Sequence, residues 1–297
     1  MRETDSSLPG GAAAASPPAP PAGEVSERIS LATLRRMKEQ RHPIVMLTCY
    51  DFPTAKILGA CGVHILLVGD SAATTVLGEA STIHATMDFM LAITRAVRRG
   101  TDRPLIMGDM PFGSYVDVPS AMANARRLLC EGGADVVKIE ADRRQEPIVA
   151  ALAGAGVPVC AHLGLLPQRV GREGGYHYQG RTREQADRIV QDALLLVGAG
   201  AELLLLEAVP DAVSRRVVDA TSRPVLGCGA GPSCHGHVVV LHDLLGLSDK
   251  TPRFVDKIAD LPAVISQAVR TYVADVGGRR YPEPRHLYHM RDDAARK

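Results

Sequence analysis

The stretch HILLVGD, residues 64–70, is an apolar run closed by a carboxylate, and it sets the reading of the whole chain. Four more runs of the same make follow: PLIMGD ending at Asp109, DVVKIE carrying Lys138 and Glu140, VPVCAH ending at His162, and LLLLE ending at Glu207. Short runs rich in Val, Ile and Leu read as strands buried on both faces. A charged group closing such a strand belongs at the rim of a sheet, because burial without a partner costs several kcal/mol, on the order of magnitude of an unpaired polar group. Five charged rims imply one shared site.

Outward from these runs, the chain from Ile44 alternates strand-like segments with longer, charged, helix-compatible ones, the pattern of repeated βα units. Strands are predicted at Ile44–Tyr50, His64–Asp70, Pro104–Asp109, Asp135–Glu140, Val157–Leu163, Leu203–Ala208, Pro224–Ala230 and Val238–Leu241. Helices are predicted at Phe52–Cys61, Met87–Arg99, Pro119–Gly132, Pro147–Ala155, Arg183–Ala199 and Asp211–Thr221, with an N-terminal helix at Leu31–Gln40 covering the barrel bottom. Several helices run into Gly or Ala-Gly before the next strand, as αβ loops do. Eight strands fit a closed (β/α)₈ TIM barrel. An open doubly wound sheet fits the same alternation, but ionisable residues after five of the eight strands favour the barrel, which places its chemistry at the C-terminal strand ends.

The 297 residues hold 46% hydrophobic side chains, enough for one large core, and no internal linker divides residues 24–297. A net charge of +1 gives no basic footprint for nucleic acid. The six scattered cysteines suit buried thiols in a reducing compartment rather than a disulfide framework. Residues 1–23, rich in Ala, Pro, Ser and Gly, read as a disordered tail without the apolar core of a signal peptide. No apolar run is long enough to cross a membrane, so a soluble, cytoplasmic protein is expected.

The rim residues suggest roles. Asp70, Asp109 and Glu140 form a hard oxygen set suited to Mg²⁺, although each alone could cap a helix or pair with an arginine. Lys138 and Glu140, two apart on one strand, project to the same face, as a self-neutralising pair or as an anion site. His162 is either a hydrogen-bonded core imidazole or a group of the site. Glu207, flanked by leucines and Ala-Val-Pro, is expected in an apolar setting that raises its proton affinity, as a general base on carbon needs, or else in a buried salt bridge. The run Gly227–Gly231 follows the seventh strand, where many barrels hold a phosphate, or it simply permits a tight turn. Cys228, Cys234, His235 and His237 match no zinc spacing.

These residues sit in blocks that resemble the ketopantoate hydroxymethyltransferase family: TCYDFPTAK (48–56), LLVGDS (66–71), TRAVRRG (94–100), GDMPFGSY (108–115), VVKIE (136–140), HLGLLPQ (162–168), GGYHYQGR (174–181), LLLEAVP (204–210), LGCGAG (226–231) and LHDLLGL (241–247). The resemblance spans about residues 29–290. It implies a (β/α)₈ barrel, a homo-oligomer (a decamer of two pentamers), Mg²⁺, and transfer of a hydroxymethyl group from 5,10-methylenetetrahydrofolate to 3-methyl-2-oxobutanoate in pantothenate biosynthesis. It further implies metal binding by Asp70, Asp109 and Glu140, substrate binding by Ser71, Lys138 and His162, and Glu207 as the base.

The chain departs from the family pattern at Ala72-Ala73-Thr74, at 78–86, at Ala141-Asp142 and at His235-Gly236-His237. These departures are expected to shape the pocket mouth, where added side chains can change substrate choice tenfold or more, by the usual order of magnitude. The alternatives are therefore hydroxymethylation of another branched 2-oxo acid, and a non-catalytic barrel that binds a 2-oxo acid. A lyase or mutase of the isocitrate lyase and phosphoenolpyruvate mutase group is disfavoured by the lack of their Lys-Lys-Cys-Gly loop.

Overall fold

A computed structural model describes residues 27–290. The tail expected at residues 1–23 lies outside them. In chain order the elements are α1 Leu31–Glu39, β1 Ile44–Thr48, α2 Phe52–Ala60, β2 Ile65–Val68, α3 Ala72–Thr75, α4 Met87–Gly100, β3 Leu105–Asp109, α5 Val118–Arg126, β4 Val136–Glu140, α6 Glu146–Gly154, β5 Val159–Gly164, α7 Val170–Glu173, α8 Arg183–Gly198, β6 Leu203–Glu207, α9 Asp211–Ala220, β7 Val225–Cys228, β8 Gly236–Val239, α10 Leu241–Leu244 and α11 Leu261–Gly277. Helix α5 continues into a wider π turn over Arg127–Gly132.

All eight strands pair in parallel and in sequence order, and β8 returns to β1 through Ile44↔Gly236 to Leu47↔Val239. The barrel is closed. Alternation along each strand divides the side chains into two cores. Ile44, Met46, Leu67, Met107, Val136 and Leu205 fill the interior, while Leu66, Ile106, Val137 and Leu204 pack outward beneath the helices. Helix α1 is set by the Ser30/Thr33 capping box and drives Leu34 and Met37 into the interior cluster, closing the bottom end. With that end plugged, the cavity lies at the C-terminal ends of the strands.

Two differences from the sequence reading have physical causes. Strand β8 starts two residues earlier than expected, at Gly236. A glycine there reads as a turn, yet an added Cβ would stand 2.2 Å from the Ile44 carbonyl, so close pairing with β1 is what requires it. Helix α11 is not anticipated by the βα alternation, because no strand follows it. Its Asp260 N-cap and Pro262 are nevertheless ordinary start signals. Among the described residues, no helix is long and apolar enough to cross a membrane.

Candidate active site

All seven candidate residues, Asp70, Ser71, Asp109, Lys138, Glu140, His162 and Glu207, line one cavity of about 520 Å³ at the C-terminal mouth of the barrel. The strand ends put them there. Asp109 and Glu140 close β3 and β4, Glu207 closes β6, and Lys138 and His162 sit inside β4 and β5 with their side chains turned inward. The register Asp109↔Lys138 and Glu140↔His162 sets the groups side by side across neighbouring strands.

A chain of polar contacts crosses the cavity floor. Lys138 Nζ lies 3.1 Å from Asp109 Oδ2 and 3.3 Å from His162 Nδ1. His162 Nε2 faces Glu207 Oε2 at 3.3 Å, without the alignment of a hydrogen bond. With the Lys138 ammonium donating to Nδ1, a neutral imidazole carries its proton on Nε2, toward Glu207. Burial holds the His162 pKa below its ordinary value, and the Lys138 charge adds to this despite Glu207, so the neutral ring is the stable form. Burial alone would lower Lys138, but Asp109, Asp70 and Glu140 together push it up. Lys138 remains the cation of the site.

The acids behave as a crowded anionic group. Burial and the neighbouring Asp70 push Asp109 up to about 7 in spite of Lys138. Asp70 and Glu140 are also raised, by burial first, and Asp70 and Glu140 repel each other. Asp70 donates its backbone N–H to Asp109 Oδ2, and Asp109 Oδ1 is a buried acceptor with no partner. Two adjacent carboxylates that resist ionisation, one with a bare oxygen, suit a hard divalent cation that keeps water and substrate oxygens in its shell. Glu140 is placed differently: both of its oxygens accept from the Gln168 backbone N–H, at 3.0 and 3.2 Å. Among the described residues, no three His, Cys, Asp or Glu side chains form a ready-made ion cage. The fit to Mg²⁺ therefore rests on Asp70 and Asp109.

Gln168 is the residue that sequence reasoning missed. Its amide Nε2 donates to Asp70 Oδ2 at 2.7 Å and to the Met110 carbonyl at 3.1 Å, while its Oε1 accepts from the Tyr115 hydroxyl. A glutamine in a loop carries no spacing signal, although it closes the HLGLLPQ block. Tyr50 was also missed; its hydroxyl pairs with Ser71 Oγ at 2.8 Å.

Several local expectations change. The leucines flanking Glu207 do not enclose its carboxylate: Leu204 and Leu206 point outward under the helices, and the Glu207 side chain opens into the cavity at 18% exposure. Beyond Gly227–Gly231, the Ser233 N–H is taken by the Asp211 carboxylate, and Gly229 and Gly231, at φ +63° and +79°, serve the turn. Of the departures from the family pattern, Thr74 lines the cavity, whereas Glu79 and Ala80 do not, and Asp142 is held by Arg144 and Arg169 away from it.

Comparison with known proteins agrees with these blocks. The family model described as ketopantoate hydroxymethyltransferase matches residues 28–284. A protein of Geotalea daltonii named 3-methyl-2-oxobutanoate hydroxymethyltransferase is 44% identical over 255 residues, covering 85% of this chain and 96% of that protein. One of the same name from Nitrosococcus oceani is 46% identical over 256 residues, covering 86% and 97%. Among solved structures, a phosphonopyruvate hydrolase complexed with oxalate and Mg²⁺ superposes with a TM-score of 0.58 at 12% identity, covering 88% of this chain and 92% of that one. A 2,3-dimethylmalate lyase gives 0.54 at 17% identity, covering 85% and 98%. At such identities, these two show the fold alone.

Proposed function

Since the chain belongs to the ketopantoate hydroxymethyltransferase family and is an enzyme of that kind, we propose that it transfers a hydroxymethyl group from 5,10-methylenetetrahydrofolate to 3-methyl-2-oxobutanoate, giving 2-dehydropantoate for pantothenate synthesis. We place that activity in the cytoplasm, in a Mg²⁺-dependent homo-oligomer. The observation that supports this reading best is the convergence of Asp70, Asp109, Lys138, His162 and Glu207 in one cavity.

Asp70 and Asp109 would hold Mg²⁺, with Glu140 completing the shell directly or through water. Bound there, the ion supplies Lewis-acid polarisation of the substrate's 2-oxo and carboxylate oxygens. Lys138, which is buried, offsets the charge of the substrate carboxylate, and Ser71 offers a hydroxyl beside Asp70. Glu207, open to the cavity, takes the proton from C3. Water breaks the two C–N bonds of the donor's methylene, releasing tetrahydrofolate and leaving that carbon as formaldehyde; the C3 carbanion bonds to this carbon, and the resulting alkoxide takes up the proton held by Glu207 to become the new hydroxyl. His162 neither competes for that proton nor adds charge, because its neutral ring directs an N–H toward Glu207 and can share it with the ligand.

Glu207→Gln keeps the shape of the site and removes the base. With Mg²⁺ and no folate, the wild type is expected to exchange the C3 proton of 3-methyl-2-oxobutanoate for deuterium, followed by NMR. E207Q should lose about 10²–10⁴-fold in that rate, the usual worth of a positioned base. Folded wild-type protein that gives no exchange would overturn this substrate. Thr74 at the cavity wall favours a second reading in that event, another branched 2-oxo acid, and the same exchange assay across a series of such acids identifies it.

A further inference from the structure

The cavity offers more room than a small 2-oxo acid fills. Its volume of about 520 Å³ falls among sites that hold whole cofactors, on the order of 300–1,000 Å³. Asp70, Asp109, Lys138 and Glu140 come from the ends of β2, β3 and β4. In a closed barrel of eight strands in sequence order, β7 and β8 stand opposite β3 and β4, and the wall there is of another kind. It is built from Cys228, Val238, Asp243, Leu247, Phe254 and Val255. Glu207 on β6 stands between the two walls, paired in register with Cys228.

Asp243 is the buried charge of that second wall, at 7% exposure. Among the described residues its carboxylate accepts no hydrogen bond and meets no cation in an ion pair. Its backbone N–H donates to the Val240 carbonyl at 3.1 Å, so the turn of α10 closes without the side chain. Lys250, in the same wall, is exposed. A buried acceptor left bare is costly, and a ligand that brings N–H groups relieves it. The surroundings are apolar and partly aromatic. The Phe254 ring rests against Gly229, where an added Cβ would stand 2.4 Å from its Cδ1, and the ring remains 39% exposed. A bare carboxylate beside an aromatic surface selects a planar ring with N–H donors side by side on one edge, one for each carboxylate oxygen. A 2-oxo acid has no N–H to offer.

We propose that Asp243 recognises the one-carbon donor, its carboxylate accepting the N3–H and the 2-amino group of the donor's 2-amino-4-oxopyrimidine ring, with Phe254 against the ring face. This rests on the folate donor proposed above and names the residue that selects it. The two walls then divide the reactants. The 2-oxo acid lies at Asp70, Asp109 and Lys138, the heterocycle lies at Asp243, and Glu207 stands between them.

The test is anaerobic titration calorimetry on the full-length protein with Mg²⁺ and 3-methyl-2-oxobutanoate present, using tetrahydrofolate and its 2-desamino-2-methyl analogue as probes. The wild type is expected to bind the analogue about 10–100-fold more weakly, the order of a lost hydrogen bond to a charged group. Asp243→Asn should weaken tetrahydrofolate to a similar degree and leave the analogue's affinity where it was, because the contact it removes is one the analogue never makes. The comparison of the two probes on the wild type stands even if D243N does not fold. Equal affinity of the wild type for both probes overturns the inference alone. So does D243N binding tetrahydrofolate as the wild type does, or losing affinity for both probes alike, which would make the carboxylate a support of the wall. A wild type that binds neither probe overturns the folate donor itself and the inference with it.

Discussion

At the scale of single residues, Gln168 fixes the geometry of the acids. Its side chain holds Asp70 and its backbone N–H holds Glu140, so one loop residue orients groups from two strands. Removal of the amide in Gln168→Ala frees Asp70 to turn. The expected loss is about 10–100-fold in divalent-ion affinity, as for other groups that orient metal ligands, read by Mn²⁺ electron paramagnetic resonance; unchanged affinity would show that Asp70 needs no such support. Gly164 shapes the site by a different means. It has φ +95°, and an added Cβ would stand 2.3 Å from the Glu207 carbonyl, which is backbone and cannot swing aside. Gly164→Ala is expected to lower stability by about 1–3 kcal/mol from backbone strain alone, with a further loss of C3 exchange as Glu207 shifts. A variant with wild-type melting and exchange would refute this.

At the scale of elements, the strands were legible because each is an apolar run of its own, and five of the eight are also closed by an ionisable residue. Six of the site residues were legible for the same reason, since a strand end fixes both place and direction; Ser71 came only with the family resemblance. What escaped was whatever the pattern does not carry. Gln168 sits in a loop, β8 begins on a glycine that looks like a turn, and α11 has an apolar stripe but no strand after it to demand its presence. The carboxylate of Glu207 could not be placed from neighbouring leucines, because alternate residues of a strand face opposite ways. Helix α1 was legible as a plug, and that role can be tested. Leu34 is fully buried at the foot of the interior core. Leu34→Ala should cost about 2–5 kcal/mol, the range for large-to-small changes in a core, measured by urea unfolding. A cost under about 1 kcal/mol, the scale of a surface change, would mean that α1 rests on the barrel without sealing it.

At the scale of the whole molecule, the buried acids tie stability to pH and to the cation. Asp109 is pushed up to about 7, and Asp70 and Glu140 are also raised, so above pH 4 the folded chain holds protons that the unfolded chain has released. Stability from these groups is complete below their ordinary pKa and is lost as pH rises through the folded values. His162 acts in the opposite sense: its pKa is lowered, so it costs stability as pH falls below about 6.5, the ordinary imidazole value. His64, His235, His237 and His242 are lowered by burial as well and act in the same sense as His162, so the share of the acids is read by difference against a variant that lacks one of them. In EDTA the change in melting temperature from pH 5 to pH 8 should therefore be less favourable for the wild type than for Asp109→Asn. A cation competes with protons for the same oxygens, so millimolar Mg²⁺ should stabilise the protein more at pH 8 than at pH 5. Asp109→Asn removes a raised carboxylate and the bare oxygen together, and should both remove that carboxylate's share of the slope in EDTA and suppress the Mg²⁺ effect. The same slope in EDTA for the wild type and D109N would mean that Asp109 ionises freely within the fold. A Mg²⁺ effect equal at both pH values, or retained in D109N, would place the ion away from these carboxylates.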